Sequence, residues 1–305
     1  MNKKNNTAWS SRSLASAFAH KIFYYAIRIA GRGIAYFMLF FVVGFYTCIP
    51  KIRNRSREYR IKRFGERSFL GELTDCFRLQ MEFGKMLVDR AVMGILGEFI
   101  MSATEQDKQT MTDLISQGRG LILITGHVGC WQLGMSVLDS LDVPKAVVMY
   151  RDDSDVDKHY FEHNKKTNEL PFTIIDPRSP MGGTLEMMNV LKKGGILCMM
   201  GDRNFGSPNG IVDVNFMNGN INVPISAYKI ASAMEVPIIA TFSHRTGAGQ
   251  GQIWISRLID VPQNLGRSMD AYRPYAQLFA DGLDEFVDAH PFQFYNFFNM
   301  WKNAE

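Results

Sequence analysis

The sequence predicts an α/β fold in which a mostly parallel central sheet is flanked by helices and preceded by an N-terminal hydrophobic membrane-anchor helix. Short apolar runs alternate with helical patterns from residue 120 to residue 240, which is typical of a parallel sheet covered on both faces. An uncharged apolar stretch near the N-terminus lies between basic residues. The 305 residues suffice for one large α/β domain or two small ones.

The N-terminal segment has the composition of a membrane anchor. Its uncharged stretch GIAYFMLFFVVGFYTCIP, residues 33–50, reaches the length of roughly 18 residues at which an apolar helix can cross a membrane. Residues 1–70 contain 14 Lys and Arg against two acidic residues, and because the chain carries +4 in all, its remainder carries −8. Basic flanks suit a helix that dips into an anionic leaflet as well as one that crosses it. We therefore expect an anchor with a basic linker over residues 1–69 and a domain over residues 70–305.

Other interpretations of the N-terminal segment are weaker. A buried helix of the domain would also be apolar, and this alternative stays open. A nucleic-acid partner is disfavoured because the basic residues surround an apolar helix instead of forming a solvated stripe. The four cysteines form no CxxC pair or other framework spacing, which indicates reduced thiols in a cytoplasmic protein.

The elements of the domain follow from changes in apolar spacing along the chain. Five short apolar runs predict the parallel strands at residues 120–125, 145–150, 172–176, 195–200 and 236–245. Helical spacing predicts helices at residues 73–96, 105–118, 131–141, 155–170, 181–194, 223–235 and 272–290. The glycine-rich TGAGQG, residues 246–251, predicts a turn into an antiparallel edge strand at residues 252–259.

Candidate site residues lie just beyond the ends of two predicted strands. His127 follows the strand at residues 120–125, and Asp202 and Arg203 follow the strand at residues 195–200. Ligands of open parallel sheets bind beyond the carboxyl ends of the strands. A neutral imidazole, with an ordinary pKa of about 6.5, is suited to take a proton from a hydroxyl. The alternative for His127 is a loop histidine whose ring is satisfied by backbone groups.

Several segments together resemble one family. GHVGCWQ, residues 126–132, is similar to the H-x4-D/E motif of glycerolipid acyltransferases, and more closely to the GH-x-G-N-W-E form of the bacterial lipid A biosynthesis (lauroyl and myristoyl) acyltransferases. Further blocks of that family resemble, in the same order, the N-terminal apolar segment, GDRNFG at residues 201–206, NFMNGNINVP at 215–224 and HPFQFYNFFNMW at 290–301. The likeness covers nearly the whole chain.

The resemblance implies a reaction, its partners and a location. A fatty acyl group would pass from an acyl-carrier-protein or CoA thioester to a hydroxyl of a membrane glycolipid such as a lipid A precursor. The thioester is already activated, so no cofactor and no metal are expected. The protein would lie at the inner (cytoplasmic) membrane, with its catalytic domain on the cytoplasmic face and in contact with the membrane surface.

The resemblance makes His127 the general base and Gln132 its orienting partner, in the position of the family's acidic residue. An amide can accept a hydrogen bond from the ring, but it cannot stabilise the protonated imidazole. In a serine-protease triad the same exchange costs about 10⁴ in turnover. Asp202, expected at a neighbouring strand end, is our candidate substitute.

Other residues around His127 are expected to contact the substrate. The backbone N–H groups of Gly129 and Cys130, at the start of the next helix, are expected to bind the developing oxyanion. Substrate contacts are also expected from Trp131, Asp202, Arg203 and Asn204.

Two alternative functions belong to other classes. Gln132 favours a catalytically weak relative that binds lipids as a partner in a biosynthetic assembly. HYFEH, with His159, Glu162 and His163, matches the inverted zinc-protease signature H-x-x-E-H. No third ligand is evident for a zinc ion, and a solvated polar helix explains this pattern better.

Overall fold

A seven-stranded sheet forms the centre of the structure, a computed structural model that describes residues 16–150, 158–163, 170–203 and 210–301. These described residues form nine strands: β1 (Ile100–Ser102), β2 (Leu121–Thr125), β3 (Lys145–Val148), β4 (Thr173–Ile175), β5 (Ile196–Met200), β6 (Ile211–Phe216), β7 (Gly219–Pro224), β8 (Ile238–Gly247) and β9 (Gln250–Ile259). The order in the large sheet is β1-β9-β8-β2-β5-β3-β4. From β8 to β4 neighbouring strands are parallel, and β9 runs antiparallel to β8. The mostly parallel α/β fold is thereby confirmed.

The strand predictions hold, with two omissions. All five parallel strands are present, and β8 turns back into β9 within the glycine-rich stretch. The short edge strand β1 and the β6–β7 hairpin were not predicted. The hairpin turns at Met217 and Asn218, both with positive φ, so it lacks the glycine at the turn centre that usually marks such a hairpin.

Nine α-helices surround the sheet within the part of the chain that the structure describes. They are α1 (Ala17–Cys48), α2 (Pro50–Arg53), α3 (Arg57–Phe64), α4 (Phe69–Leu96), α5 (Glu105–Ser116), α6 (Trp131–Gly134), α7 (Thr184–Lys192), α8 (Ser226–Met234) and α9 (Arg273–Ala289). The predicted helix at residues 131–141 is α-helical for one turn and then continues as a 3₁₀-helix over Met135–Ser140.

The prediction of a polar helix over residues 155–170 is wrong for residues 158–163, which the structure describes. His159 has an extended backbone, with φ −69° and ψ 161°, and a single 3₁₀ turn follows over Tyr160–Glu162. Residues 151–157 and 164–169 lie outside the described residues.

The hydrophobic core covers both faces of the sheet, and β2 is therefore buried on both sides. Ile122 and Ile124 pack into the larger cluster, to which α8 and α9 contribute. Leu121 and Leu123 face the opposite side, where Leu114 of α5 is among the residues that cover them. Hydrophobic burial from two directions therefore fixes the strand whose end carries His127.

The N-terminal helix α1 packs lengthwise on α4. Ile27, Leu39 and Val43 form one apolar cluster with Val88 and Val92 of α4. The helix bends at Gly31, whose φ of 69° is strained for any other residue. Among the described residues, α1 is the one helix long and apolar enough to cross a membrane.

The basic segment predicted as a linker is helical and packs on the domain. Tyr59 of α3 is buried, its hydroxyl donates to the Pro291 carbonyl, and its ring packs edge-on against Phe294 at 5.0 Å. The Arg60 guanidinium is buried as well and donates to the carbonyls of Glu72 and Arg53, at 3.0 and 3.1 Å. These contacts join α3 to the body of the molecule.

Candidate active site

His127 and Asp202 meet beyond the ends of two paired strands. The register pairs Thr125 of β2 with Met200 of β5, so each of the two residues stands two positions past its strand. The ring Nδ1 of His127 lies 2.9 and 3.0 Å from the two carboxylate oxygens of Asp202. The backbone N–H of His127 also donates to this carboxylate, at 3.1 Å. Because a carboxylate only accepts hydrogen bonds, Nδ1 carries the proton and Nε2 is left as an acceptor.

Burial and charge set the protonation of this pair. Burial lowers the pKa of His127 below 6.5, the positive charge of Arg203 lowers it further, and Asp202 opposes both effects. Burial by itself raises the pKa of Asp202, but the charge and hydrogen bonds of His127, together with Arg203, lower it to about 2. At neutral pH the pair therefore consists of a neutral imidazole and an ionised carboxylate.

Gln132 does not orient His127, which corrects the expectation from its position. Its Oε1 accepts a hydrogen bond from the Arg90 guanidinium of α4, at 2.6 Å. The physical reason is the start of α6 at Trp131, which turns the Gln132 side chain toward α4 while the carboxylate of Asp202 holds the ring. Arg90 is a site residue that the sequence analysis missed, because nothing local to α4 marks it.

The prediction that the backbone N–H groups of Gly129 and Cys130 bind an oxyanion is also wrong. The N–H of Gly129 donates to the Gln293 carbonyl at 2.7 Å, and the N–H of Cys130 donates to the Ser243 carbonyl at 3.3 Å. Both amides are therefore engaged inside the protein. Gly129 has φ 53°, and a Cβ there would lie 1.6 Å from the Ser243 carbonyl oxygen, so the loop requires glycine to pack against β8.

A C-terminal segment, Gln293–Tyr295, clamps the His127 loop. The N–H of Tyr295 donates to the His127 carbonyl at 3.0 Å, and Val128 forms an antiparallel bridge with Phe294. The Gln293 side chain holds the segment on β8, because it accepts from the N–H of Arg245 at 2.8 Å and donates to the carbonyl of the same residue at 3.1 Å. In the sequence, only the resemblance of residues 290–301 to a block of the family indicated that this segment matters.

Of the other residues expected to contact the substrate, Arg203 and Trp131 lie at the site, and the expectation for Asn204 is untested. The Arg203 guanidinium donates to the Tyr295 carbonyl at 2.7 Å and lies 3.5 Å from the Asp202 carboxylate. The Trp131 ring packs against the His127 ring, with 5.4 Å between the ring centroids. Asn204 lies outside the described residues.

A cavity of about 390 Å³ is lined by His127 and by residues of β2, β3, β5 and β8. Its polar lining includes Arg90, His127 and Arg203. Most of the other lining side chains are apolar or aromatic, and they include Leu123, Met135, Leu138, Val147, Val148, Cys198, Phe161 and Phe172. The cavity can therefore hold an apolar chain beside the His127 ring.

His159, Glu162 and His163, the three residues of the zinc signature, contact protein groups in place of a shared metal site. Glu162 accepts a hydrogen bond from the N–H of His159 at 2.6 Å. The His159 ring stacks on Phe161, and the His163 ring packs edge-on against Tyr24. Over residues 16–150, 158–163, 170–203 and 210–301, no three His, Cys, Asp or Glu side chains are grouped to hold a metal ion.

A histidine–carboxylate pair beside an apolar cavity, on a mostly parallel α/β sheet, agrees with the lipid acyltransferase that the sequence led us to expect. The sequence model of one such family, described as bacterial lipid A biosynthesis acyltransferase, matches residues 91–303. The match covers more than half of the chain, and the protein belongs to this family.

A solved structure of another acyltransferase is similar at low sequence identity. The crystal structure of the 1-acyl-sn-glycerophosphate (LPA) acyltransferase PlsC from Thermotoga maritima is similar with a TM-score of 0.40 and 12% sequence identity, over 85% of this chain and 98% of that chain. At this distance the likeness bears neither on the site nor on the substrate. No curated protein matches the sequence.

Proposed function

We propose that this acyltransferase moves a fatty acyl group from an acyl-carrier-protein or CoA thioester to a hydroxyl of a membrane glycolipid such as a lipid A precursor, with His127 as general base. The observation that carries this proposal is the bond between Nδ1 of His127 and the buried Asp202 carboxylate, which leaves Nε2 as a proton acceptor at the cavity.

The proposed reaction needs one proton transfer in each direction. Nε2 of His127 takes the proton of the lipid hydroxyl as the oxygen attacks the thioester carbonyl, and the resulting imidazolium is stabilised by Asp202. The C–S bond then breaks, and His127 returns the proton to the leaving thiolate. General base catalysis of this kind contributes roughly 10²–10⁴-fold.

The cavity supports the assignment of an acyl donor. Its apolar walls favour a fatty chain over water, because burying apolar surface is the main source of affinity for such a ligand. The thioester would lie beside His127. We place the glycolipid headgroup at the polar lining, where Arg90 and Arg203 supply hydrogen-bond donors.

We further propose that the protein works at the cytoplasmic face of the inner membrane, with no nucleic-acid partner. The apolar α1, with its basic flanks, supports contact with an anionic leaflet. Both proposed substrates, an acyl thioester made in the cytoplasm and a lipid hydroxyl, are accessible there.

Purified full-length protein with an acyl-carrier-protein thioester and a lipid acceptor tests this proposal. We expect His127→Ala to lower the transfer rate by about 10²–10⁴-fold. His20→Ala on α1 is the matched control and keeps the rate. Unchanged transfer in His127→Ala overturns the role of the base, and mass spectrometry of membrane lipids with and without the gene identifies the acceptor as the species that is lighter by one acyl chain.

The alternative of a catalytically weak lipid-binding relative depended on Gln132. Asp202 supplies the carboxylate that Gln132 lacks, and this contact supports a catalytic site over that alternative. Thioester turnover at the uncatalysed background rate would favour the alternative instead.

A further inference from the structure

Apolar side chains cover α1 on two opposite faces along its whole length. One face is buried on α4, through residues such as Ile27, Leu39 and Val43. The opposite face is exposed, and we define it as the outer stripe: Ile22, Tyr25 and Ile29 before the bend, and Phe37, Phe41 and Phe45 after it. The spacing of three and four within each half matches the period of a helix.

A buried ion cluster fixes the middle of α1 to the body of the molecule. Arg32 Nε lies 2.9 Å from the Asp89 carboxylate of α4, and the Tyr36 hydroxyl donates to the same group at 2.6 Å. Arg245 of β8 approaches Asp89 from the other side, at 2.8 Å. Leu39 lies so close to Gly84 that a Cβ there would be 2.6 Å from Leu39 Cδ1. α1 cannot leave α4 without exposing this cluster.

The packing on α4 is incompatible with α1 crossing a bilayer. Arg32 meets Asp89, Leu39 meets Gly84, and Phe40 packs against Phe77, so the two helices run antiparallel along each other. Charged residues of α4, such as Glu82 and Lys85, therefore lie beside the apolar part of α1. In a crossing helix they would enter the hydrocarbon, where charged side chains are strongly disfavoured.

The length and charge of α1 favour a helix in the membrane plane. At 1.5 Å per residue, the parts of α1 before and after Gly31 extend about 21 and 26 Å, so each is shorter than the hydrocarbon core of about 30 Å. Both halves contribute exposed apolar side chains to the outer stripe, so each half can contact a membrane surface. Exposed basic side chains occur near both ends, among them Lys21, Lys51 and Arg55, where they meet anionic headgroups.

We propose that α1 lies in the plane of an anionic leaflet, embedded through its outer stripe, so that both of its ends remain on the same side as the catalytic domain. This inference rests on the proposed membrane location. It also brings the cavity to the lipid surface. Tyr24 of α1 accepts a hydrogen bond from the N–H of Lys158 at 3.2 Å and packs against His163, and the segment between them supplies His159 and Phe161 to the cavity wall.

Cysteine labelling in sealed membrane vesicles tests the orientation. In a Cys48→Ser background, which leaves three buried cysteines among the described residues, Ala17→Cys marks the start of α1. Asn189→Cys on the exposed surface of α7 is the control that reports the side of the domain. A membrane-impermeant maleimide is expected to label both positions in vesicles of the same orientation. Labelling in opposite orientations means that α1 crosses the bilayer, and it overturns the proposal.

Spin labels measure the depth independently. We expect labels at Ile22→Cys and Phe41→Cys to lie at similar depth in phosphatidylglycerol-containing vesicles, roughly 5–10 Å into the interface. A label at position 41 deep in the hydrocarbon with position 22 in water contradicts an in-plane helix. Neither readout involves acyl transfer, so failure here leaves the proposed reaction standing, and an inactive His127→Ala variant leaves the orientation unaffected.

Discussion

At the residue scale, the site contains a histidine–carboxylate pair, but the carboxylate comes from a different position than in the family pattern. The family pattern puts the acidic group five positions after the histidine, where this chain has Gln132. Asp202 takes that place from the end of β5 and contacts both the ring and the backbone of His127. Gln132 instead binds Arg90. The chemistry of the site is therefore set by which groups meet in space.

Asp202→Asn tests the carboxylate directly. An amide cannot stabilise the imidazolium that forms during the proposed reaction, and it also permits the wrong ring tautomer. By analogy with the serine-protease triad, we expect kcat to fall by about 10⁴-fold. Steady-state kinetics with the acyl thioester measure the change.

Gln132→Glu is the matched control, since it restores the acidic residue of the family pattern. We expect it to pair with Arg90 and to leave the low rate of Asp202→Asn unrescued in the double variant. A double variant with restored kcat would show that the carboxylate at position 132 reaches the ring, contrary to the observed geometry.

The protonation of His127 predicts the pH dependence. Because burial lowers the pKa of His127 below 6.5, the proposed base stays neutral through the neutral range, and kcat/KM should decline only below pH 6.5. Asp202 raises this pKa, so the acid limb should move to lower pH in Asp202→Asn. In the unfolded chain the His127 ring takes up a proton at about pH 6.5, whereas in the native state it does so only at lower pH. The free energy of unfolding should therefore also decrease as the pH falls below 6.5. An acid limb above pH 6.5 in the native protein would contradict this assignment.

At the element scale, the C-terminal segment Gln293–Tyr295 holds the His127 loop through a single β-bridge and several hydrogen bonds. Gln293 ties it to β8, Tyr295 bonds to the carbonyl of His127, and Arg203 bonds to the carbonyl of Tyr295. The segment thus joins the ends of β2, β5 and β8 beside the cavity. None of these contacts involves a reacting atom, which makes Gln293 a positioning residue.

Gln293→Ala should lower kcat by up to about 10²-fold with little change in the KM for the donor, because a small displacement of the base is costly whereas the apolar cavity remains. Gln277→Ala is the matched control. Gln277 makes the same pair of backbone bonds, with the N–H and carbonyl of Asn215 at 2.9 Å each, between α9 and β6. Equal kcat losses in the two variants would indicate a general structural effect.

At the scale of the whole molecule, the cluster around Asp89 joins the N-terminal helix to the sheet. Asp89 is fully buried and accepts from Arg32, Tyr36 and Arg245, which belong to α1 and β8. Glu82 bonds to Arg245 at 2.9 Å and balances the second cation. The N-terminal helix and the rest of the domain are therefore joined through this cluster.

Asp89→Asn should destabilise the protein by about 3–5 kcal/mol, the usual cost of leaving a buried ion pair without one partner. Asp142→Asn on the surface is the control, with an expected change within about 0.5 kcal/mol. Thermal unfolding in detergent measures both. A small effect for Asp89→Asn would mean that α1 is not held to the domain by this cluster.

The sequence alone determined the elements and the family, because apolar periodicity and strand-end motifs are local properties. It located β2, β5 and β8, the helices that alternate with them, and His127 at a strand end. It missed the β6–β7 hairpin because the turn residues Met217 and Asn218 give no usual hairpin signal.

The tertiary structure alone decided which groups meet. The Thr125–Met200 register brings Asp202 to His127 across 75 residues of sequence, and the packing of Gly129 on β8 engages the amides expected to bind an oxyanion. The packing of α1 on α4 likewise determines which face of this apolar helix remains exposed. Hydrogen-bond partners depend on distances between segments, and those distances exist only after the chain has packed.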